Sequence, residues 1–370
     1  MTVKPRYYLT LLFIYLSSTS SCEKNITKTA DNFYSRENIE STKGLLEIKS
    51  EVVLKELPSF TTFDIIPTDD YLVFSNGTPN PYYFDVFSLK TMEVLGSVIT
   101  QGGAANELSG VARSNSGMGN SIISYSMESG NYIYKINIDS ALYTAKYEIP
   151  KTKKLEQYDV FKVSMIKEDT FAMVTIQNDT VFTLTNNNGN IINKYLRYPF
   201  QEELSSFQSA IHGLIFQGVL TGSVIQNRAA YFQYNSFNWH IVDFSNPLSP
   251  NTVFKHLTSL PKFEDLSRID DNFREYSVAT YESNKNAFVD ATSNNEFIYA
   301  LYSGKSLERY GAEADYGDIL IQMDWDGNLI NRYKLDTPTK IIAITTDNTL
   351  YTIFENRTDN MLLSYQFGNE

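Results

Sequence analysis

The chain has 370 residues, of which 43 are acidic and 31 basic, so its formal charge is −12 with neutral histidines. An excess of acidic groups disfavours binding to nucleic acid and to anionic lipid headgroups. The single cysteine, Cys22, excludes an intramolecular disulfide, so the burial of apolar surface must stabilise the fold.

The first 21 residues have the order of a secretory signal. Lys4 and Arg6 precede an apolar run from Tyr7 to Leu16, and small polar residues follow the run. The run is about ten residues long, whereas a membrane-spanning helix needs about 20. The pattern therefore predicts a targeting segment over residues 1–21 and no transmembrane anchor.

Cys22 stands directly after these small residues. The segment Thr19-Ser20-Ser21-Cys22 resembles the lipobox of a bacterial lipoprotein signal, although Thr19 replaces the usual apolar residue. The alternative is a chance cysteine in an ordinary signal peptide. We predict cleavage before Cys22, acylation of Cys22, and anchoring to the lipid bilayer through its acyl chains. The protein would then lie in the cell envelope, on the periplasmic or outer face of the outer membrane.

The segment after the cysteine is polar. Residues 23–44 read "EKNITKTADNFYSRENIESTKG" and contain few large aliphatic side chains. Segments of this composition bury too little apolar surface to fold alone. The sequence predicts a flexible tether over residues 22–44.

The remaining chain is predicted to be all-β. Tyr and Phe are frequent, at 26 and 23 residues, and apolar and polar residues alternate with period two. Several segments have the pattern of a hairpin with a short polar turn, in places with Asn-Gly or Asp-Gly at the turn. The hairpins are "YYFDVFSLKTMEVLGSV", "NYIYKINIDSALYTAKYEI", "DTVFTLTNNNGNIINKYL", "WHIVDFSNPLSPNTVFKHL" and "DILIQMDWDGNLINRYKL".

These hairpins belong to larger repeating units. Most are preceded by another strand pair, and they begin at intervals of roughly 40 to 80 residues, a spacing typical of β-propeller blades. We predict a six-bladed β-propeller with four-stranded antiparallel blades over residues 45–370. Two packed sandwiches and a β-helix are the alternatives. The last strand, "NMLLSYQF", lacks a partner, so the run at 45–57 is predicted to pair beside it and close the ring. The charged stretch "LPKFEDLSRIDDNFREYS" is predicted to be an insertion on one face.

Two parts of the chain carry a family resemblance. They are "PTDDYLVFSN" with the hairpin that follows it, and "DILIQMDWDGNLINRYKLD" with "IIAITTDNTLYTIFEN". With them the chain resembles the TolB-like six-bladed propeller lipoproteins of Bacteroidota, relatives of NHL-type propellers, over residues 45–370. The family's Gly-x-Gly-Pro-x-Glu turn is only partly kept, at Gly102 and Glu107. The resemblance implies a fold far more than an activity.

Few residues have the spacing of a catalytic or metal site. His212, His240 and His256 do not have metal-ligand spacing in the sequence, which favours structural roles over a zinc site. The segment "DWDGN" at 324–328 resembles the start of a calcium loop, but the twelfth position is Leu335, so a hairpin turn is favoured. The carboxylates within residues 264–275 indicate a solvated insertion. No nucleophile elbow or phosphate loop is present. We therefore predict no catalytic, cofactor or metal residues.

Two functional hypotheses follow. The preferred one is a non-enzymatic binding or scaffold module, a monomer that presents a loop face to an envelope protein, peptide or glycan. The alternative is a metal-dependent, lactonase-like hydrolase whose carboxylates and amides meet in the central channel. The two hypotheses differ in the polar side chains that they require on the innermost strands.

Overall fold

The fold was analysed in a computed structural model. It describes residues 34–57, 62–77, 81–108, 110, 114–126, 131–155, 160–175, 179–269, 274–355 and 360–367. The predicted signal peptide, Cys22 and residues 23–33 of the predicted tether lie outside these ranges. Within them, no helix has the length and apolar character needed to cross a membrane.

Within the described residues, six sheets contain three or more strands, numbered here in chain order. Helix α1 (Arg36–Glu40) and strands β1 (Leu46–Ile48) and β2 (Glu51–Leu54) precede sheet 1. Sheet 1 comprises β3 (Thr62–Pro67), β4 (Tyr71–Asn76), β5 (Tyr82–Ser88), β6 (Val94–Gln101) and β7 (Glu107–Leu108). Sheet 2 comprises β8 (Ser114–Ser116), β9 (Ser121–Ser126) and β10 (Tyr132–Asn137), followed by α2 (Ile138–Tyr143). Sheet 3 comprises β11 (Val160–Lys167), β12 (Thr170–Thr175), β13 (Thr180–Asn186) and β14 (Ile191–Arg197), followed by α3 (Ser209–Ile215).

The second half continues this pattern with one interruption. Sheet 4 comprises β15 (Gly218–Ser223), β16 (Arg228–Gln233), β17 (Trp239–Asp243) and β18 (Asn251–His256). Two nested hairpins follow, formed by β19 (Phe263–Asp265), β20 (Arg268–Ile269), β21 (Arg274–Glu275) and β22 (Val278–Thr280). Sheet 5 comprises β1, β23 (Phe288–Ser293), β24 (Phe297–Tyr302), β25 (Gly317–Asp324) and β26 (Leu329–Thr339), with α4 (Leu307–Tyr310) and a 3₁₀ turn (Gly311–Asp315) between β24 and β25. Sheet 6 comprises β2, β27 (Ile342–Ile344), β28 (Thr349–Glu355) and β29 (Asn360–Gln366).

The core lies in the wedges between neighbouring sheets. Six clusters of buried apolar side chains are present among the described residues, and each joins two consecutive sheets, including sheets 6 and 1. The innermost strands of the six sheets are β3, β8, β11, β15, β23 and β27. Each contacts the next in this order, and β27 contacts β3. Alternating apolar side chains fill the wedges on both sides of each sheet, which is the packing of a β-propeller. The predicted all-β propeller is therefore confirmed.

The strand content of the sheets differs from the prediction. Three sheets have four strands and two have five, whereas sheet 2 has three, so uniformly four-stranded blades were wrong. An irregular segment flanks β10 where a fourth strand would lie. The amide of Lys135 donates to Pro150 O at 2.9 Å, and the amide of Thr152 donates to Ile133 O at 2.9 Å. Pro150 has no amide hydrogen to donate, which helps to explain why this edge is irregular.

The run at 45–57 was predicted to pair wholly with the final strand, and this prediction was wrong in part. Strand β1 pairs in parallel with β26 at the edge of sheet 5, and only β2 pairs antiparallel with β29 in sheet 6. Between them, the amide and hydroxyl of Ser50 donate to Asp336 Oδ2 at 3.1 and 3.3 Å. These bonds redirect the chain from one sheet to the next, so a single sequence run covers two sheet edges.

The predicted tether was also wrong at its C-terminal end, because residues 34–44 are folded. Tyr34 and Ile39 are buried. Ser35 caps α1 by accepting a hydrogen bond from the amide of Asn38. At the other end, the Arg332 guanidinium donates to Ile39 O and Ser41 O, both at 3.1 Å. A helix of five residues is not stable alone, so these distant contacts hold it. We call residues 34–57 the strap.

Candidate functional site: the central channel and its mouth

The innermost strands of all six sheets surround a small cavity in the central channel. Its volume is about 50 Å³. Three charged side chains line it from three different sheets, namely Asp64, Lys162 and Asp290. Lys162 is buried, so the lining combines one buried basic residue with two acidic ones. Polar side chains from different sheets thus meet at the channel, as a channel-centred enzyme would require.

Several of these polar groups hold neighbouring sheets together. Asp290 Oδ2 accepts a hydrogen bond from the amide of Ile342 at 2.9 Å, which joins sheets 5 and 6. Asn115 Nδ2 donates to Val163 O, which joins sheets 2 and 3. A backbone amide or carbonyl on the channel side of an innermost strand has no strand partner there, and leaving it unsatisfied costs about 1–3 kcal/mol. Asp290 and Asn115 therefore have structural roles in the ring.

Sheet 4 also approaches its two neighbouring sheets closely around the channel cavity. The hydroxyl groups of Thr221 and Ser293 lie 2.7 Å apart and join sheets 4 and 5. On the other side, a Cβ added to Gly222 would lie 2.5 Å from Ser164 Oγ. A side chain at position 222 would displace the Ser164 hydroxyl, so glycine permits this close approach of the two innermost strands.

The channel opens at one end into a wider depression. In each sheet one turn joins the innermost strand to the strand beside it, and we call these six turns the inner turns. They are residues 68–70, 117–120, 168–169, 224–227, 294–296 and 345–348. The depression between them, the mouth, has a volume of about 250 Å³ and is lined from sheets 1, 2, 4, 5 and 6. Two apolar side chains on its lining are exposed to solvent, Met118 by 45% and Ile225 by 67%. The mouth is thus a concave surface with apolar side chains available for contact.

The residues singled out from sequence do not converge on this site. His212 lies in α3, whereas His240 and His256 lie on the paired strands β17 and β18; His212 and His240 are buried. In "DWDGN", Asp324 Oδ1 accepts hydrogen bonds from the amides of Asp326 and Asn328, which confirms the hairpin turn. Across the described ranges, no three His, Cys, Asp or Glu side chains are placed so that they could hold a metal ion.

The stretch at 264–275 is an insertion, as predicted. It carries the nested hairpins β19–β22 and β20–β21 between sheets 4 and 5. Its carboxylates Glu264 and Asp265 are exposed, and residues 270–273 lie outside the described ranges. The carboxylates that reach the channel, Asp64 and Asp290, come instead from β3 and β23 and were missed. Each stands alone in an ordinary strand sequence, so no local motif marks it.

The chain is similar in structure to several solved proteins. A member of the DUF4221 family from Bacteroides vulgatus has a TM-score of 0.51 at 10% identity, over 88% of this chain and 100% of that one. A protein of unknown function from Bacteroides caccae has a TM-score of 0.43 at 9% identity, over 76% and 85% of the two chains. Regucalcin, a calcium-binding protein from Agrobacterium tumefaciens, has a TM-score of 0.47 at 9% identity, over 86% and 94%.

Sequence comparison shows the family. No curated protein matches the chain. The family profile described as TolB-like 6-blade propeller-like matches residues 45–349, which is most of the chain. The predicted TolB-like resemblance is confirmed at this level: the chain belongs to the TolB-like 6-blade propeller-like family.

Proposed function

We propose that the protein is a membrane-anchored lipoprotein whose propeller is a binding or scaffold module, without enzymatic activity, for a protein, peptide or glycan of the cell envelope. The mouth carries this proposal. It is concave, it is formed by turns from several sheets, and it exposes Met118 and Ile225 to solvent. Exposed apolar side chains around a concavity are typical of recognition surfaces. We further propose that the protein acts as a monomer.

In this proposal all six sheets are blades. The six wedge clusters join consecutive sheets around the whole ring, and the family description names six blades. Sheet 2 would be the incomplete blade, with residues 150–155 along its outer edge. Sheet 6 would be closed by β2, since that strand comes from the N-terminal part of the chain and pairs with β29.

The binding role predicts a partner at the mouth in intact cells. With p-benzoylphenylalanine in place of Ile225, ultraviolet irradiation is expected to give a discrete cross-linked product on a gel. The same group in place of Val94, which is exposed by 57% on the outer part of sheet 1, is the control and is expected to give none. Equal products at both positions, or none at position 225, would contradict a binding role for the mouth.

The second candidate is the metal-dependent hydrolase. It is favoured by Asp64, Asn115 and Asp290, which line one cavity from three sheets. The contacts of Asn115 and Asp290 with neighbouring sheets, and the ammonium group of Lys162, weigh against it because they compete with a bound cation. A rise in melting temperature with calcium, magnesium or manganese that EDTA reverses would favour the hydrolase.

The anchor predicts a separate result at Cys22. Radioactive palmitate is expected to label the wild-type protein, which should partition into the detergent phase of a Triton X-114 separation. Cys22→Ser removes the thiol that would be alkylated, so the label and the detergent partition should both be lost. Ser20→Ala, two residues away, is the control and should keep both. Unchanged partition of Cys22→Ser would mean that the acyl anchor is absent.

The strap would limit how far the propeller can move from the membrane. Tyr34 is fixed to the ring by a hydrogen bond from its hydroxyl to Gly327 O at 2.5 Å. Residues 23–33, which connect Cys22 to this point, span at most about 40 Å when fully extended. An acylated Cys22 would therefore keep the propeller close to the bilayer surface.

A further inference from the structure

The charges of the inner turns all have one sign. The six turns contain six exposed carboxylates and no Lys, Arg or His, with the carboxylates at Asp69, Asp70, Glu168, Asp169, Glu296 and Asp347. Two basic residues flank the inner turns in sequence. Lys167, the last residue of β11, is exposed, whereas Arg228, the first residue of β16, forms ion pairs with Asp243 and Asp326. Carboxylates of one sign around a concave opening produce a negative potential that attracts cationic groups.

The channel below the mouth adds to this potential. Pro67, Gly222 and Ser293 line both the mouth and the channel cavity, so the two spaces meet at these residues. In the channel cavity, Asp64 and Asp290 outnumber Lys162. Asp69 is the turn carboxylate that lines the mouth itself. A cationic group in the mouth would therefore have Asp69 beside it and Asp64 and Asp290 below it.

The size and side chains of the mouth favour a polypeptide over a glycan. A volume of about 250 Å³ lies below the range of about 300–1,000 Å³ typical of sites for drug-sized ligands, and it suits individual side chains. None of the inner turns contains an aromatic residue on which a sugar ring could stack. The exposed apolar groups are instead the flexible Met118 and the aliphatic Ile225, which pack against aliphatic side chains.

We propose that the mouth binds an extended polypeptide segment in which basic side chains alternate with apolar ones. The basic groups would pair with the carboxylates of the inner turns, and the apolar groups would contact Met118 and Ile225. This inference rests on the proposed binding function and narrows it to one class of ligand.

The test uses the purified full-length protein in a non-ionic detergent and three fluorescein-labelled heptapeptides. The first alternates lysine with leucine, the second has glutamate in place of lysine, and the third has glycine in place of leucine. Fluorescence anisotropy is expected to show saturable binding of the first peptide that weakens as salt is added. The glutamate peptide should not bind, and the glycine peptide should bind about fivefold more weakly because its apolar contacts are lost.

Two variants with the same change in charge separate the mouth from the rest of the surface. Asp69→Asn, Glu296→Gln and Asp347→Asn, combined, are expected to weaken binding of the lysine–leucine peptide about tenfold at low salt. Glu47→Gln, Glu51→Gln and Glu308→Gln, combined, neutralise three exposed carboxylates outside the inner turns and should change binding less than twofold. All six positions are exposed, so neither variant is expected to disturb the core.

Equal weakening by both variants would show that the peptide binds through overall charge, and the inference would be wrong. Failure of the lysine–leucine peptide to bind would also overturn it. A cross-linked product at position 225 in intact cells, together with either of these results, would keep the binding function and change only the class of ligand. Absence of that product would remove the binding function itself.

Discussion

Lowering the pH from 7 to 4.5 is expected to reduce the free energy of unfolding by about 5 kcal/mol, mainly through two histidines. Burial, with a smaller contribution from the neighbouring Lys255, lowers the pKa of His240 to about 3. Burial lowers the pKa of His256 to about 4, where its ring packs 4.2 Å from the ring of Trp239. In the folded protein His240 is therefore neutral throughout this range, and His256 begins to take up a proton only near its lower end.

The sign of the effect follows from proton uptake. In the unfolded chain both histidines have pKa values near 6.5, so below this pH the unfolded state binds more protons than the folded state. The contribution of the two histidines to the free energy of unfolding is fully present above pH 6.5. It is lost as the pH falls toward their two folded-state pKa values. Each histidine contributes about 2.5 kcal/mol of the loss by pH 4.5. Urea unfolding at a series of pH values measures it.

A variant that cannot titrate separates the two contributions. His256→Phe keeps a ring among Trp239, Phe237 and Tyr34 but removes the ionisable group. The loss of stability between pH 7 and 4.5 should fall to about half of the wild-type value. If His256→Phe shows the wild-type pH dependence, His256 is not a source of the acid sensitivity.

Tyr34→Ala is expected to lower the free energy that holds the strap to the ring by about 4 kcal/mol. The Tyr34 ring lies 4.9 Å from that of Trp239 and 5.5 Å from that of Phe254, so its removal leaves a cavity between sheets 4 and 5. The hydrogen bond to Gly327 O is lost as well. Hydrogen exchange of the amides in β1 and β2, together with urea unfolding, measures the effect.

Tyr34→Phe is the matched control. It keeps the ring contacts and removes only the hydroxyl group, so the expected loss is about 1 kcal/mol. Exchange in β1 and β2 should accelerate strongly in the alanine variant and only slightly in the phenylalanine variant. Equal acceleration in the two variants would show that the hydrogen bond, and not the packing, holds the strap.

The sequence predicted features that depend on local chemistry. Alternation of apolar residues located most of the strands, and Asp324 with Gly327 marked a hairpin turn. The structure bears out this turn, since Gly327 has a φ of +82° and a Cβ there would lie 2.4 Å from the ring of Phe254. Such features are readable because the residues that determine them are adjacent in the chain.

The strap could not be predicted in the same way. Tyr34 and Ile39 stand in a polar segment that is typical of a solvated tether, and they are buried only because sheets 4 and 5 offer an apolar cleft. Helix α1 depends on Arg332, which is almost 300 residues away. The division of residues 45–57 between two sheets depends on the bonds from Ser50 to Asp336. Contacts between such distant residues leave no periodic signal.

The candidate site shows the same limit. The acidic residues of the inner turns occur singly or in pairs, such as Asp69 and Asp70, and each resembles an ordinary polar turn. Their shared negative charge becomes apparent only when the fold places the six turns around one opening. The histidines, by contrast, could be assigned structural roles from sequence because their spacing suits no metal site.

The pairing of β2 with β29 also determines the order in which the molecule can be assembled. During synthesis the amino end is made first, so β1 and β2 stay unpaired until residues 329–366 are also present. Contacts between residues so far apart in sequence form slowly. Until they form, the unfinished chain exposes unpaired strand edges that can associate with other chains. A chaperone acting on this protein would therefore be needed most in the interval before its last strand is made.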